Sequence, residues 1–176
     1  NEIIREYAEK IMQGVVAQDK KELRLKALRT ILPIDLAEIK LPRSCEGQCD
    51  LRSHTIASDG FDTLTYKVYL AFKRGLTAFA ITDHDTITQP EAIEAARIIN
   101  VEIVNYNQQH GANISALILI PGIEVTAFYE GAVEVHVLIF IPDFYATSFN
   151  EKRENLRYLL DKLSTISNTR NEPVMQ

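Results

Sequence analysis

The chain has 176 residues, 46% hydrophobic and 24% charged, with a net charge of −5. That length suggests one domain with a real core, and the composition is ordinary for a soluble globular protein. The acidic balance argues against a mainly electrostatic nucleic-acid binder, but it leaves phosphate substrates open because metal ions could supply local positive charge.

The first 44 residues read as a helical lead-in. Ile3, Ile4, Tyr7, Ile11, Val15 and Val16 recur at helical spacing, and the segment 21–32 carries Leu23, Leu25, Leu28 and Ile31. Helix is expected over 2–32, with Pro33 and Pro42 as punctuation. The opening is amphipathic rather than a secretory signal, no apolar run reaches the ~18 residues of a membrane span, and a cytoplasmic protein is expected. The chain lacks an initiator Met, which suggests a processed or trimmed fragment. Neither His nor any other candidate ligand is expected from the lead-in.

From Gln48 the pattern becomes strand, loop, helix. Residues 49–52 form a short strand, 63–75 suit a helix, and 77–82 (TAFAIT) form an apolar strand buried on both faces. An Ala-rich helix over 89–99 follows, with Pro90 in its first turn. The polar stretch 100–113, with Asn105, Asn107, Gln108, Gln109 and His110, reads as a loop or an extension of that unit. Apolar runs at 114–120 and 132–141 are the next strands, and 150–166 closes as an amphipathic helix. This alternation predicts an α/β protein with a mainly parallel sheet, residues 1–44 forming the lead-in and 45–176 the domain.

Four runs place a His or a carboxylate after strand-like stretches. They are Asp50-Leu51-Arg52-Ser53-His54-Thr55, Ser58-Asp59-Gly60, Thr82-Asp83-His84-Asp85 and Pro121-Gly122-Ile123-Glu124; His136 lies in the fourth strand. Imidazole and carboxylate are the mixed ligands that suit zinc, manganese or iron, and strand ends are where parallel β/α proteins gather such groups. Each residue has a plainer role available, since Ser-Asp-Gly is turn chemistry and Asp83 or Asp85 could cap a helix. Joint placement favours a site; His110, in the polar stretch, stands outside it. Cys45 and Cys49 form a lone C-x3-C, a weak zinc signal that reads as two reduced cysteines.

These runs resemble the PHP (polymerase and histidinol phosphatase) superfamily, especially its small phosphoesterases. Asp50 to Thr55 matches the family's D-L-H-x-H-T apart from Arg52, followed by its S-D-G at Ser58-Asp59-Gly60. The second motif matches at Ala80-Ile81-Thr82-Asp83-His84-Asp85-Thr86, the third at Ile120-Pro121-Gly122-Ile123-Glu124-Val125-Thr126, and Glu134-Val135-His136 supplies the next histidine. The likeness runs from about residue 49 to 141.

The resemblance implies a distorted TIM-like β/α barrel, incomplete in this chain, with two or three divalent metals (zinc, manganese or iron) at the strand ends. His54, Asp59, His84, Glu124 and His136 inherit ligand roles. Asp83 and Asp85 inherit places in the catalytic site as orienters of those ligands. In such a cluster a bridging hydroxide attacks phosphorus, so the implied activity is metal-dependent hydrolysis of a small phosphate ester, a nucleotide or a nucleic-acid end. Two departures stand out. Arg52 replaces a ligand His and, having no lone pair to donate, points to a lost metal site or a phosphate clamp. The family's late ligands, an additional His and an Asp-x-His, have no counterpart after Ile141, as expected of the N-terminal part of a longer protein or a half-size form. An inactive PHP-like scaffold is the competing reading. A zinc-dependent deaminase or amidohydrolase explains the Ser58-Asp59-Gly60 and Gly122-Ile123-Glu124 runs less well.

Overall fold

The computed structural model describes residues 2–14, 20–40, 47–86, 90–129 and 133–140. Val15, Val16, Pro42, Cys45 and the segment 150–166 lie outside them. The elements run α1 (Glu2–Met12), α2 (Lys21–Ala37), β1 (Cys49–Asp50), α3 (Leu64–Arg74), β2 (Ala78–Ile81), α4 (Pro90–His110), β3 (Ile118–Tyr129) and β4 (Val133–Phe140). The protein is α/β, with a four-stranded sheet in the order β1-β2-β3-β4.

Local chemistry explains the helices nearest the site. Thr63 caps α3, its side chain accepting from the Tyr66 N–H. Gly75 ends it in the left-handed region at φ 85, and the Gly75 and Leu76 N–H groups donate back to Phe72 and Ala71 carbonyls. The Thr63 hydroxyl also donates to the Met12 carbonyl, tying the end of α1 to the start of α3.

One apolar cluster joins the two layers. Met12, Leu28, Ile31 and Leu32 from α1 and α2 meet Val68 and Phe72 of α3, Ile99 and Ile103 of α4, and Phe79, Ile81 and Leu119 from the sheet. Inside this layer, Arg24 of α2 and Glu91 of α4 form a buried fork: Nε and Nη2 each donate at 2.7 Å, and the Thr65 hydroxyl adds a 2.6 Å bond to the same carboxylate.

The sequence expectations need four corrections. Pro33 lies inside α2 rather than after it. The helix expected over 89–99 continues to His110, so 100–110 is an extension and not a loop. Its asparagines steer the next strand. Asn100 exchanges two 2.9 Å bonds with the backbone of Leu117, and Asn107 makes 2.9 and 3.0 Å bonds with that of Ile114. Because the chain is held this way at 114–117, β3 begins later, at Ile118.

The fourth correction concerns sheet direction. β1, β2 and β3 are parallel, but β4 returns antiparallel to β3, with Glu124 opposite Leu138 and Thr126 opposite His136. A parallel crossover needs about a dozen residues, and the chain offers far fewer between Tyr129 and Val133. Glu124 therefore sits within a long strand. Only the pairing with β2 stops short of it, at Pro121.

Candidate metal centre

The parallel part of the sheet ends in a junction built around Asp83. Beyond β2, the Thr82 N–H donates to the Ser53 carbonyl at 2.8 Å. The Glu124 N–H then donates to the Asp83 carbonyl at 3.1 Å, and the Asp85 N–H to the Glu124 carbonyl at 2.8 Å. His84 and Glu124 thus face each other as an isolated parallel bridge. Asp85 holds φ 49, a left-handed conformation that Asp tolerates better than most residues, and its side chain is exposed.

Asp83 is buried, and its carboxylate turns to the loop that carries His54 and Asp59. It accepts from the Thr55 N–H at 2.6 Å, the Thr55 hydroxyl at 2.7 Å and the Ser58 hydroxyl at 2.7 Å. The same loop closes with the Gly60 N–H on the Thr55 carbonyl at 2.9 Å. A Cβ at Gly60 would stand 2.5 Å from the His54 carbonyl carbon and 2.6 Å from the Thr55 nitrogen, so only glycine fits this close backbone approach.

Around Glu124 the motif runs meet. Its side chain is fully buried. Oε2 lies 2.9 Å from Arg52 Nε and 3.0 Å from His54 Nε2; Oε1 lies 3.0 Å from Arg52 Nη2 and 2.6 Å from His136 Nδ1. Asp59 reaches His54 Nδ1 at 2.5 Å and lies 3.7 Å from His84 Nε2. The His84 ring stands edge-on between those of His54 and His136, with centroids 4.7 and 4.9 Å away. His54, Asp59, His84, Glu124 and His136 are therefore brought together, and Arg52 with them. Asp83 and Asp85 act on the backbone and loop behind the cluster.

Electrostatics follow this arrangement. Burial pushes Glu124 up, but hydrogen bonds with Arg52, His54 and His136 outweigh it and hold its pKa down to about 2. The hydrogen bond to His54 lowers Asp59. Glu134, with help from Glu124, raises His136, and Glu124 raises Arg52.

The donor set fits a divalent ion. His54, His84 and Glu124 each offer an atom within 4.8 Å of the others. Two imidazoles and a carboxylate suit zinc, manganese or iron, with Asp59 and His136 at hand as further donors. Arg52 contributes no lone pair, yet it takes both oxygens of the carboxylate. The sequence left Arg52 as the mark of a lost metal site or as a phosphate clamp, and here it pairs with a carboxylate. The carboxylate is that of Glu124 itself, which only the β1–β2–β3 register brings within reach.

No family model matches the sequence. Over 89 residues the chain is 38% identical to the 5′-3′ exoribonuclease Rnm of Salmonella typhimurium (strain LT2) and 37% identical to Rnm of Escherichia coli (strain K12). Each match takes in 51% of this chain and 26% of the relative, so the chain spans about a quarter of the length of the curated relatives it matches. A crystal structure from Bifidobacterium adolescentis, carrying a provisional metal-dependent phosphoesterase assignment, is 38% identical with a TM-score of 0.39, covering 53% of this chain and 28% of that one.

Proposed function

We propose that this chain forms part of a metal-dependent phosphoesterase of PHP type, acting on a nucleotide, a nucleoside phosphate or a nucleic-acid end. The observation that carries the reading is the buried Glu124 carboxylate, reached by ligand-type side chains from separate segments: His54 after β1, His84 after β2 and His136 on β4. The likeness to an exoribonuclease over half the chain supports a phosphodiester or phosphate-ester substrate. The β1-α3-β2-α4-β3 succession is the start that a β/α barrel would have, with the hairpin strand β4 as its distortion.

In this reading His54, His84 and Glu124 would hold the ion, with Asp59 and His136 as further donors. When bound, a divalent ion supplies Lewis acidity toward phosphate oxygens and makes water a better nucleophile near neutral pH. The chain's own residues do the positioning. Asp83 fixes the 55–58 loop and with it His54 and Asp59. Exposed Arg52, once free of Glu124, offers a fork that matches two phosphate oxygens. Hydrolysis joins a water oxygen to phosphorus, breaks the ester P–O bond and returns the water proton to the departing alcohol.

The test is metal content of the purified full-length protein, followed by hydrolysis of a nucleoside monophosphate and a short 5′-phosphorylated RNA. Chelation should abolish release of phosphate or nucleotide, and manganese or zinc should restore it. A protein that binds neither metal and cleaves neither substrate would instead be the inactive scaffold, a reading that the occupied Glu124 carboxylate favours.

A further inference from the structure

A carboxylate has two oxygens and about four lone-pair sites. At Glu124 all four are engaged, two by Arg52, one by His54 and one by His136. A metal ion that reaches this carboxylate must displace one of its partners. The histidines can stay, because an imidazole can turn a lone pair to the same ion. Arg52 cannot, since it is permanently charged and has no lone pair, and a second cation beside it is repelled.

Arg52 is also the partner best placed to leave. Its side chain is 56% exposed, against 12% for His54 and 37% for His136, while Glu124 is fully buried. With that much of the side chain already exposed, withdrawal uncovers comparatively little. Arg24, by contrast, is 7% exposed.

We propose that Arg52 is a latch on metal loading: its guanidinium is the resident cation of Glu124, and an incoming divalent ion competes with it for that carboxylate. The proposal rests on the metal-centre reading above and adds to it a regulation of the same site. If the latched form predominates, the apparent metal affinity falls by the fraction of molecules that are unlatched; one molecule in ten unlatched weakens binding about tenfold.

Calorimetric titration of the full-length protein with zinc and with manganese tests this. Arg52→Ala should bind about tenfold more tightly than the native protein, following that arithmetic. Arg52→Lys, which keeps the charge but loses the fork, should fall between them, and Arg52→His, which adds a ligand, should bind at least as tightly as Arg52→Ala. Equal or weaker binding by Arg52→Ala overturns the latch and leaves the metal centre standing. Absence of binding in every form overturns both.

A readout on the native protein covers the case in which the variants fail to fold. With ¹⁵N-labelled arginine, the Arg52 Nε–H signal should move to the position of a free guanidinium as metal is added. A signal that stays at its Glu124-bound position with one equivalent of metal bound also overturns the latch.

Discussion

Among the described residues, two Arg–Glu forks tie segments distant in sequence, built from the same side chains in different walls. Arg24–Glu91 lies between α2 and α4, each side chain 7% exposed, with Thr65 completing the carboxylate's bonds. Arg52–Glu124 lies at the end of the parallel sheet, its carboxylate sealed and its arginine side chain 56% exposed. Burial on both sides makes a tie that costs much to break, because either partner alone would be an uncompensated buried charge. Burial on one side leaves the carboxylate in need of a cation without fixing which cation. The first fork joins two helices, while the second pairs a sealed carboxylate with an exposed arginine.

The comparison sharpens most at Arg24. Arg24→Ala should cost about 3–5 kcal/mol of stability in urea unfolding, since it strands Glu91. Arg52→Ala should cost clearly less, because His54 and His136 still serve Glu124. Equal losses would mean that the two forks do the same job.

Next in size is Gly60→Ala, expected to destabilise the protein by about 1–3 kcal/mol, the usual cost of forcing an extra methyl into packed structure. It should also weaken metal uptake, because the atoms that must move belong to His54 and Thr55. A variant that loses stability but keeps full metal affinity would uncouple loop from site.

Asp83→Asn should lower metal affinity about 10–100-fold, the range for residues that orient ligands. The amide would turn a donor toward the donors of Thr55 and Ser58. Calorimetry at unchanged folding, monitored by circular dichroism, checks it.

The smallest effect concerns acid. At Glu91 burial raises the pKa, and hydrogen bonds from Arg24 and Thr65 more than reverse this, leaving it below the ordinary value of 4.5. A carboxyl depressed on folding contributes stability that is present above its unfolded pKa and is lost as pH falls through its folded one. Urea midpoints should therefore decline below pH 4.5. An Arg24→Met/Glu91→Leu double variant, near neutral in stability, should lack that share of the decline.

Much of the site was legible because its chemistry is written in short runs whose order survives folding. The motifs at 54–60, 82–85 and 121–124 meet around Glu124, and the helices over 64–74 and from residue 90 fall where Thr63, Gly75 and the alanines put them. What stayed hidden depends on partners distant in sequence. For Asn100 and Asn107 the choice between loop and helix extension stayed open because their role, holding the backbone of 114–117, is invisible until the helix and the chain lie side by side. The expectation of a mainly parallel sheet left the direction of β4 open, because an apolar run looks alike in either direction; the short connection before it was the usable signal. That Arg52 would choose Glu124 depended on three strands in register.

The antiparallel return of β4 has a consequence for how this chain can change length. Glu124 and His136 share one face of the hairpin, opposite Leu138 and Thr126. Side chains alternate along a strand, so a single residue added or removed between Val133 and His136 would turn the imidazole to the other face unless a bulge absorbed it. Changes in steps of two would keep it inward but slide it along Glu124's strand. Insertions among related sequences should therefore gather at 130–132, with the flanking strands fixed in length.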